Sequence, residues 1–221
     1  WNSVPSIVGF MKKMGYLSKG AFPSIEYSMF CGEQLPKHCA DAWRIAAPNS
    51  TIENLYGPTE ATIYTSRYLY SNSKEKELFC NNIIPIGQAF PTMTIEIINE
   101  NLDRGNSGEI GEIAYKGPQV TQGYLNDESK TKSVFVQFDW DKSGDIWYKS
   151  GDLGFLNKSG DFECIGRKDN QIKLGGRRIE IGEIESVLSK FTLLQDVVVV
   201  PIKDESRITI GCVAYTMSEI N

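Results

Sequence analysis

Three short stretches of this chain carry side chains that together could hold a nucleotide. Asn54-Leu55-Tyr56-Gly57-Pro58-Thr59-Glu60 sets an aromatic, a Gly-Pro turn, a hydroxyl and a carboxylate in one loop at the end of an expected strand, where α/β sheets bind ligands. Tyr56 could stack on a base, Thr59 could hydrogen-bond a phosphate oxygen, and Glu60 could hold Mg2+, which prefers carboxylate and phosphate oxygens. The same spacing also fits a plain turn in which Thr59 caps a helix. Tyr148-Lys149-Ser150-Gly151-Asp152 presents an acid after a turn glycine, able to accept two hydrogen bonds from a ribose diol or simply to form the turn. Arg167 and Asp169 stand where the sequence pattern resets, either as a charged linker or as a domain boundary with Arg167 facing a ligand. Lys173, Arg177, Arg178 and Glu180 lie on an expected hairpin and read as a solvated charged face.

Composition removes other chemistries. The 221 residues include 23 Lys+Arg against 28 Asp+Glu, a net charge of −5, so nothing provides an electrostatic footprint for nucleic acid. The longest apolar run, Val197 to Ile202, is far short of the roughly 20 residues of a membrane-spanning helix, and no membrane partner is expected. Five cysteines, Cys31, Cys39, Cys80, Cys164 and Cys212, are odd in number, scattered and without a CxxC pair. They argue against a disulfide framework or a zinc site and imply reduced thiols in a cytoplasmic compartment. The single histidine, His38, removes multi-histidine metal sites and reads as a surface helix residue. The chain opens Trp1-Asn2-Ser3-Val4-Pro5 without a charged-then-apolar leader, so no targeting segment is expected.

The elements that must position these residues follow from periodicity. Apolar spacing predicts a helix within 4–17, ended by Gly15 and Gly20, and a buried strand over Ile25–Phe30 closed by Gly32. A helix over Pro36–Ala47, stopped by Pro48, and a strand over Thr51–Tyr56 complete a strand-helix-strand unit, hence a parallel pair. From about residue 62 short β runs follow, among them Thr94–Ile98, Gly111–Tyr115 and Phe162–Ile165, which suggest a compact barrel or sandwich. Gly160-Asp161 and the polar Asn99–Gly108 segment read as hairpin connections. After Gly166-Arg167-Lys168-Asp169 come a strand over Asn170–Leu174, a Gly175-Gly176 turn and a return over Arg177–Ile181. A helix opened by Gly182-Glu183-Ile184-Glu185, with Ile184, Val187 and Leu188 on its apolar face, precedes strands over Asp196–Ile202 and Arg207–Tyr215. The fold class is α/β plus α+β: a parallel-sheet segment and a β-barrel-like segment over 1–168, then an incomplete small α+β unit over 169–221.

Taken together and in order, these segments resemble the adenylate-forming enzyme superfamily, in its amino-acid-activating branch. The resemblance rests on Tyr56-Gly57-Pro58-Thr59-Glu60; Gly111-Glu112-Ile113 with Gly117 and Gly123-Tyr124-Leu125; Tyr148-Lys149-Ser150-Gly151-Asp152; and Gly166 to Lys173 continued through Arg178-Ile179-Glu180-Ile181-Gly182-Glu183-Ile184-Glu185. It implies that Tyr56 packs on adenine with Gly57 beside it, that Thr59 contacts the α-phosphate, and that Glu60 binds Mg2+. It further implies that Asp152 holds both ribose hydroxyls and that Arg167 assists at the ribose. Asp169 would be the hinge about which the small domain turns, exchanging an adenylation face for a thioester-forming face that carries Gly175-Gly176. Ser150 stands where the family usually has Thr, and Gly175 where many members have a basic or bulky residue.

The implied activity uses ATP: a carboxylate attacks the α-phosphate, a mixed anhydride with AMP forms, and the phosphopantetheine thiol of a carrier protein takes the acyl group. The family's phosphate loop and its C-terminal lysine have no match within these residues, so the resemblance implies part of a larger ligase, inactive by itself. The acyl pocket would be lined by Asn2, Met29, Cys31, Leu55, Ile63 and Tyr64, with Gly32-Glu33 passing near the adenine. These mostly apolar, medium-sized residues suit a small neutral amino acid. Phe30-Cys31-Gly32-Glu33-Gln34-Leu35-Pro36 resembles the D-alanine–carrier protein ligases, whereas Trp1 to Pro5 and Gly182 to Glu185 resemble nonribosomal peptide synthetase adenylation domains. Cys31 fits equally as a small buried apolar residue. Two alternatives share the core motifs, an acyl-CoA synthetase and a non-catalytic nucleotide-binding scaffold. Retention of Thr59, Glu60, Asp152 and Arg167 argues against the scaffold.

Overall fold

The computed structural model describes residues 1–71, 79–169, 171–174, 176–188, 190, 196–204 and 207–215; Asn170 and Gly175 lie outside the described residues. The first sheet runs β1-β2-β3-β4-β5, with β1 Asn2–Ser3, β2 Tyr27–Phe30, β3 Thr51–Tyr56, β4 Ser66–Tyr70 and β5 Gln88–Ala89. β1, β2 and β3 are mutually parallel, whereas β4 and β5 join antiparallel. The expected parallel pair is thus present and gains a third, two-residue strand.

Two helices cover one face of this sheet. α1, Pro5–Lys13, starts with a proline whose missing N–H costs nothing in the first turn, and ends ahead of Gly15 at φ 76°. It is shorter than the 4–17 window. α2, Lys37–Ala46, buries Cys39, Ala40, Trp43 and Ala46, and His38 is exposed on it as expected. Trp43 is the anchor: its ring meets Phe22 at 5.5 Å and the edge of Phe30 at 5.7 Å, and its indole N–H donates to Ser28 Oγ at 2.7 Å. A buried tryptophan needs such a partner, and Ser28 supplies it from the sheet face beneath.

The second sheet is antiparallel, in the order β10-β9-β7-β6 with β8 also on β9. Its strands are β6 Thr94–Ile98, β7 Gly111–Lys116, β8 Phe135–Val136, β9 Trp147–Leu156 and β10 Phe162–Arg167. Ile95, Ile97, Ile113 and Tyr115 alternate inward, and with Phe135, Tyr148 and Ile86 they close a core around Tyr56 at the end of β3. The core of the second sheet therefore reaches the C-terminal end of β3 in the first. Asn99–Gly108 connects β6 to β7 as a largely exposed polar segment, and the Gly160 turn joins β9 to β10.

Past residue 169, β11 (Gln171–Leu174) and β12 (Arg177–Glu180) form the expected hairpin. α4 (Ile181–Leu188) follows, then the antiparallel pair β13 (Asp196–Asp204) and β14 (Arg207–Tyr215). One detail of α4 differs from expectation: Val187 is 56% exposed, whereas Ile181 is buried. The helix begins one residue earlier than its Gly-Glu-Ile-Glu opening suggests, which moves the apolar stripe to Ile181, Ile184 and Leu188, spaced i, i+3, i+7.

Candidate active site

A bulge in β9 brings the first group into place. β7 pairs with β9 at Glu112↔Leu153 and again at Ala114↔Lys149, so Ser150-Gly151-Asp152 sits opposite a single residue. Gly151 adopts φ 73°, and Ser150 Oγ donates to Ile113 O at 2.7 Å while accepting from Asp152 N at 3.0 Å. The serine hydroxyl bridges the turn, which is also held by Gly151 N to Glu112 Oε1 at 3.0 Å and by Lys168 N to Gly151 O at 2.8 Å. Asp152 emerges 3% exposed, with its carboxylate facing Tyr56 and Arg167.

Arg167 is the cross-strand partner of Asp152 on β10. Its Nη1 donates to Asp152 Oδ1 at 2.8 Å and to Ser150 O at 2.7 Å. Its Nε and Nη2 embrace Asp169 at 2.9 and 2.5 Å, and Nη2 also reaches Gln171 Oε1 at 2.6 Å. Burial works against the guanidinium charge, but the hydrogen bonds and proximity to Asp169 and Asp152 raise its pKa above the ordinary arginine value. One cation thus ties the candidate ribose carboxylate to the candidate hinge carboxylate. On the other side of Asp152, the Tyr56 hydroxyl donates to Oδ2. Lys173 Nζ lies 3.7 Å from that oxygen and 4.7 Å from the centroid of the Tyr56 ring. Lys173 therefore leaves the solvated face assigned to it in the sequence: in the hairpin register it turns toward Tyr56 and Asp152. A buried carboxylate attracts cations because desolvation is costly unless the charge is matched.

The segment 57–64 forms a second part of the site. Thr59 does not cap a helix; it opens a 3-10 turn, Thr59–Ala61, whose cap position is Pro58, and its side chain is exposed. Thr62 and Ile63 follow in left-handed conformations at φ 55° and 73°. Such a run needs support, which the 119–124 loop supplies. Thr121 N donates to Glu60 O at 2.8 Å, Thr62 Oγ1 to Gln119 O at 2.8 Å, and Gln119 Nε2 to Tyr64 O at 3.1 Å. Tyr124 Oη donates to Glu60 Oε1 at 2.5 Å. Burial, and then this hydrogen bond to Glu60, push the Tyr124 phenol well above its ordinary pKa, so it stays a donor. Among the described residues no cluster of three or more His, Cys, Asp or Glu could hold a metal by itself. A lone oriented carboxylate still suits Mg2+, which is bound through one or two carboxylates with phosphate oxygens and waters completing its shell.

The expected acyl-pocket residues converge in part. The register Asn2↔Met29↔Glu53 places Asn2, Met29 and Leu55 on one face of the first sheet, with Cys31 continuing β2 on that side, opposite Phe30 and Ile52. Asn2 Nδ2 donates to Tyr64 Oη at 3.4 Å, closing one end of this face. Ile63 is 56% exposed at the rim. Burial raises the Cys31 thiol pKa, opposed by a hydrogen bond from the Gly32 backbone and by the Lys173 charge. Gly32 and Glu33 meet the hairpin tip: Gly176 N donates to Glu33 Oε1 at 3.1 Å, and a Cβ at Gly32 would lie 3.4 Å from Gly176 Cα. Gly57, by contrast, sits directly under the 63–65 backbone.

Two contributors escaped the sequence reading. Lys173 lies among hairpin charges, and its alternation with Ile172 and Leu174 puts it on the side opposite these apolar residues, so no local pattern shows that it faces Tyr56. Tyr124 lay in a recognised motif, but no local pattern shows that it reaches back to Glu60.

Residues 1–125, more than half of the chain, match the family model of the AMP-binding enzyme. D-alanine–D-alanyl carrier protein ligase of Bacillus velezensis is 36% identical over 201 residues, 91% of this chain and 38% of that protein. The ligase of the same name from Lactiplantibacillus plantarum is 30% identical over 221 residues, 100% of this chain and 42% of its own. The chain thus spans about two fifths of the length of these relatives. Among solved structures, the Vibrio cholerae adenylation domain AlmE in complex with glycyl-adenosine-5'-phosphate superposes with a TM-score of 0.86 at 34% identity, covering 98% of this chain and 40% of that one. Holo-PA1221, a protein with adenylation and carrier domains, gives a TM-score of 0.87 at 22% identity over 100% of this chain and 37% of its own, a likeness of fold.

Proposed function

This chain belongs to the AMP-binding enzyme family, and from that premise we propose that it is part of an ATP-dependent ligase that activates a small neutral amino acid and passes it to a carrier-protein thiol. The observation that carries this reading is the buried Asp152 carboxylate, held between the Tyr56 phenol and the Arg167 guanidinium beside the end of a parallel strand. Relatives named as D-alanine–D-alanyl carrier protein ligases support it, as does a neighbour bound to an aminoacyl adenylate.

In this reading Asp152 accepts the two ribose hydroxyls, with Arg167 holding the carboxylate in orientation, and Tyr56 packs on adenine. Thr59 donates to the α-phosphate. The amino-acid carboxylate attacks the α-phosphorus, the bond to pyrophosphate breaks, and an aminoacyl-AMP anhydride results. Mg2+ held at Glu60 would offset the charge that gathers on the leaving pyrophosphate. The thiol of a phosphopantetheinylated carrier then attacks the acyl carbon and expels AMP. We assign 1–168 to the large domain and 169–221 to the small one, with Asp169 as hinge and the Gly175-Gly176 tip on the carrier face. Asn2, Met29, Cys31, Leu55, Ile63 and Tyr64 are uncharged, and Glu53 and Arg67 on the same face of the sheet pair with each other at 3.7 Å, which suits glycine or alanine. A cytoplasmic setting fits ATP use and the free thiols Cys31, Cys39, Cys80 and Cys164. Among the described residues no helix is long and apolar enough to cross a membrane.

Calorimetric titration of the full-length protein with glycyl, L-alanyl, D-alanyl and phenylalanyl sulfamoyl adenylates, and with a fatty-acyl analogue, tests the reading. Tightest binding by a small aminoacyl form supports it. Preference for the fatty-acyl analogue would establish the acyl-CoA synthetase alternative instead, and no binding by folded protein would sink both.

Two further results are expected. Tyr124→Phe keeps the ring but removes the donor to Glu60, one charge-assisted hydrogen bond worth about 1.5–3 kcal/mol. The Mg2+ concentration for half-maximal ATP binding should rise about tenfold, and the lost bond should lower the melting temperature by a few degrees without unfolding the protein. Cys31, its thiol held above the ordinary pKa by burial, should alkylate slowly at neutral pH and become resistant once an aminoacyl adenylate fills the site, as read by mass spectrometry. Unchanged labelling with saturating adenylate would remove Cys31 from the pocket wall.

A further inference from the structure

Three segments far apart in sequence meet at one carboxylate beside the acyl face. Glu33 Oε2 accepts the amide of Ser6 at 2.9 Å, and Glu33 Oε1 accepts the amide of Gly176 at 3.1 Å. Ser6 is the second residue of α1, whose own cap residue, Val4, makes no side-chain cap bond. Glu33 therefore supplies from the β2–α2 loop the acceptor that the helix terminus lacks, and its charge suits the positive end of the helix dipole. Its second oxygen is what a simple cap would not explain.

Around that second bond the contact is backbone on backbone. A Cβ at Gly32 would lie 3.4 Å from Gly176 Cα, and a Cβ at Gly176 would lie 2.6 Å from Val4 Cγ1. Gly176 holds φ 76° and Gly32 φ 90°. Gly176 at the hairpin tip thus fits against Gly32 and Val4. On β11 of the same hairpin Lys173 lies over Tyr56. The hairpin is consequently fixed at two points, by Lys173 at the nucleotide side and by Glu33 at the acyl side.

We propose that Glu33 is a positioning residue for acyl transfer: its carboxylate clamps the tip of the β11–β12 hairpin to the start of α1, so that the edge of the acyl face is closed by the hairpin when the thiol arrives. The proposal rests on the carrier-ligase reading above. If the small unit turns about Asp169 for adenylate formation, Gly176 leaves Glu33, and the clamp acts on one half of the reaction. Glutamine at this position has one carbonyl oxygen and an NH2 that cannot accept, so it can serve only one of the two amides.

The full-length protein is compared as wild type, Glu33→Gln and Ser6→Pro, the last removing the Ser6 amide in a helical turn that tolerates proline. Adenylate formation from ATP, transfer to a phosphopantetheinylated carrier, and hydrogen exchange of the Gly176 amide are measured separately. Glu33→Gln should slow transfer about fivefold more than it slows adenylate formation and speed exchange at Gly176 by a similar factor, the loss of one hydrogen bond. Ser6→Pro, which cuts the clamp at its α1 end while leaving the Gly176 amide bonded to Glu33, should also lower the ratio of transfer to adenylate formation, with exchange at Gly176 nearer the wild-type rate. Equal loss in both half-reactions of Glu33→Gln, or a weaker affinity for ATP with no extra loss in transfer, would overturn the clamp and return Glu33 to a cap or to the nucleotide. Failure of the wild type to form any aminoacyl adenylate would overturn the ligase reading, and exchange at Gly176 would then decide the clamp alone.

Discussion

Replacing Asp152 with alanine should weaken binding of an aminoacyl adenylate by at least about 100-fold. Two hydrogen bonds from a ribose diol to an ionised acceptor are worth about 1.5–3 kcal/mol each, and 2.7 kcal/mol already amounts to two decades. The variant carries a second penalty, because Arg167 and Lys173 both face this carboxylate, 2.8 and 3.7 Å away. Removing one partner from a buried ion pair leaves uncompensated charge, commonly at a cost of about 3–5 kcal/mol. Here the loss falls near the lower end, since Arg167 retains Asp169, Gln171 and Ser150 O as acceptors. Asp152→Asn separates the two effects. It keeps the shape and one acceptor, so the fold should survive by circular dichroism while adenylate affinity still falls more than tenfold. Wild-type affinity in a folded Asp152→Asn protein would place the ribose elsewhere.

The same constellation shows what the sequence could convey. The strand Thr51–Tyr56 was legible because β-branched and aromatic residues run into a Gly-Pro stop, and its bounds agree with the structure to the residue. The parallel pairing followed from strand-helix-strand order, and the hairpin after Asp169 from its double glycine. Asp152, Arg167 and Tyr56 were legible as candidates only through their ordered motifs. That they form one cluster depends on a β-bulge at Ser150–Asp152 and on the β9–β10 register, neither of which leaves a local signature. Lys173 and Tyr124 show the same limit. Each acts through a partner more than 60 residues away, Tyr124 on Glu60 and Lys173 on Tyr56, and no periodicity encodes such a contact. Glu33 is the instructive case: the resemblance implies only that its loop passes near the adenine, whereas its carboxylate serves two backbone amides, a role that depends on the docking of a hairpin 143 residues further along.

Gly57→Ala should remove the nucleotide site by a different route, through the backbone. A Cβ at position 57 would lie 2.5 Å from Ile63 O and 2.8 Å from Thr65 N, both main-chain atoms that cannot rotate aside. The 57–64 segment doubles back on itself here: Ile63 N bonds to Pro58 O at 3.1 Å and Thr65 N to Tyr56 O at 2.8 Å. Relief of the clash must push the 63–65 segment away from β3 and break the Thr65 bond, or rotate the turn that carries Thr59 and Glu60. Thr62 and Ile63 already hold strained left-handed conformations, so the segment has little slack to absorb the shift. Overpacking of this kind costs about 1–3 kcal/mol, and a lost buried hydrogen bond adds about 1 kcal/mol, so a fall in melting temperature of several degrees is expected. Gly108→Ala is the control: φ is 83° there, but no atom stands within 4 Å of the added carbon, so only the local conformational penalty applies. Differential scanning calorimetry of both variants, paired with ATP titration, separates the cases. Gly57→Ala should lose ATP affinity by more than tenfold at a temperature where it remains folded, whereas Gly108→Ala should bind as wild type. Full ATP affinity in Gly57→Ala would mean that the turn at 57–64 tolerates displacement, and that Thr59 and Glu60 do not set the phosphate geometry.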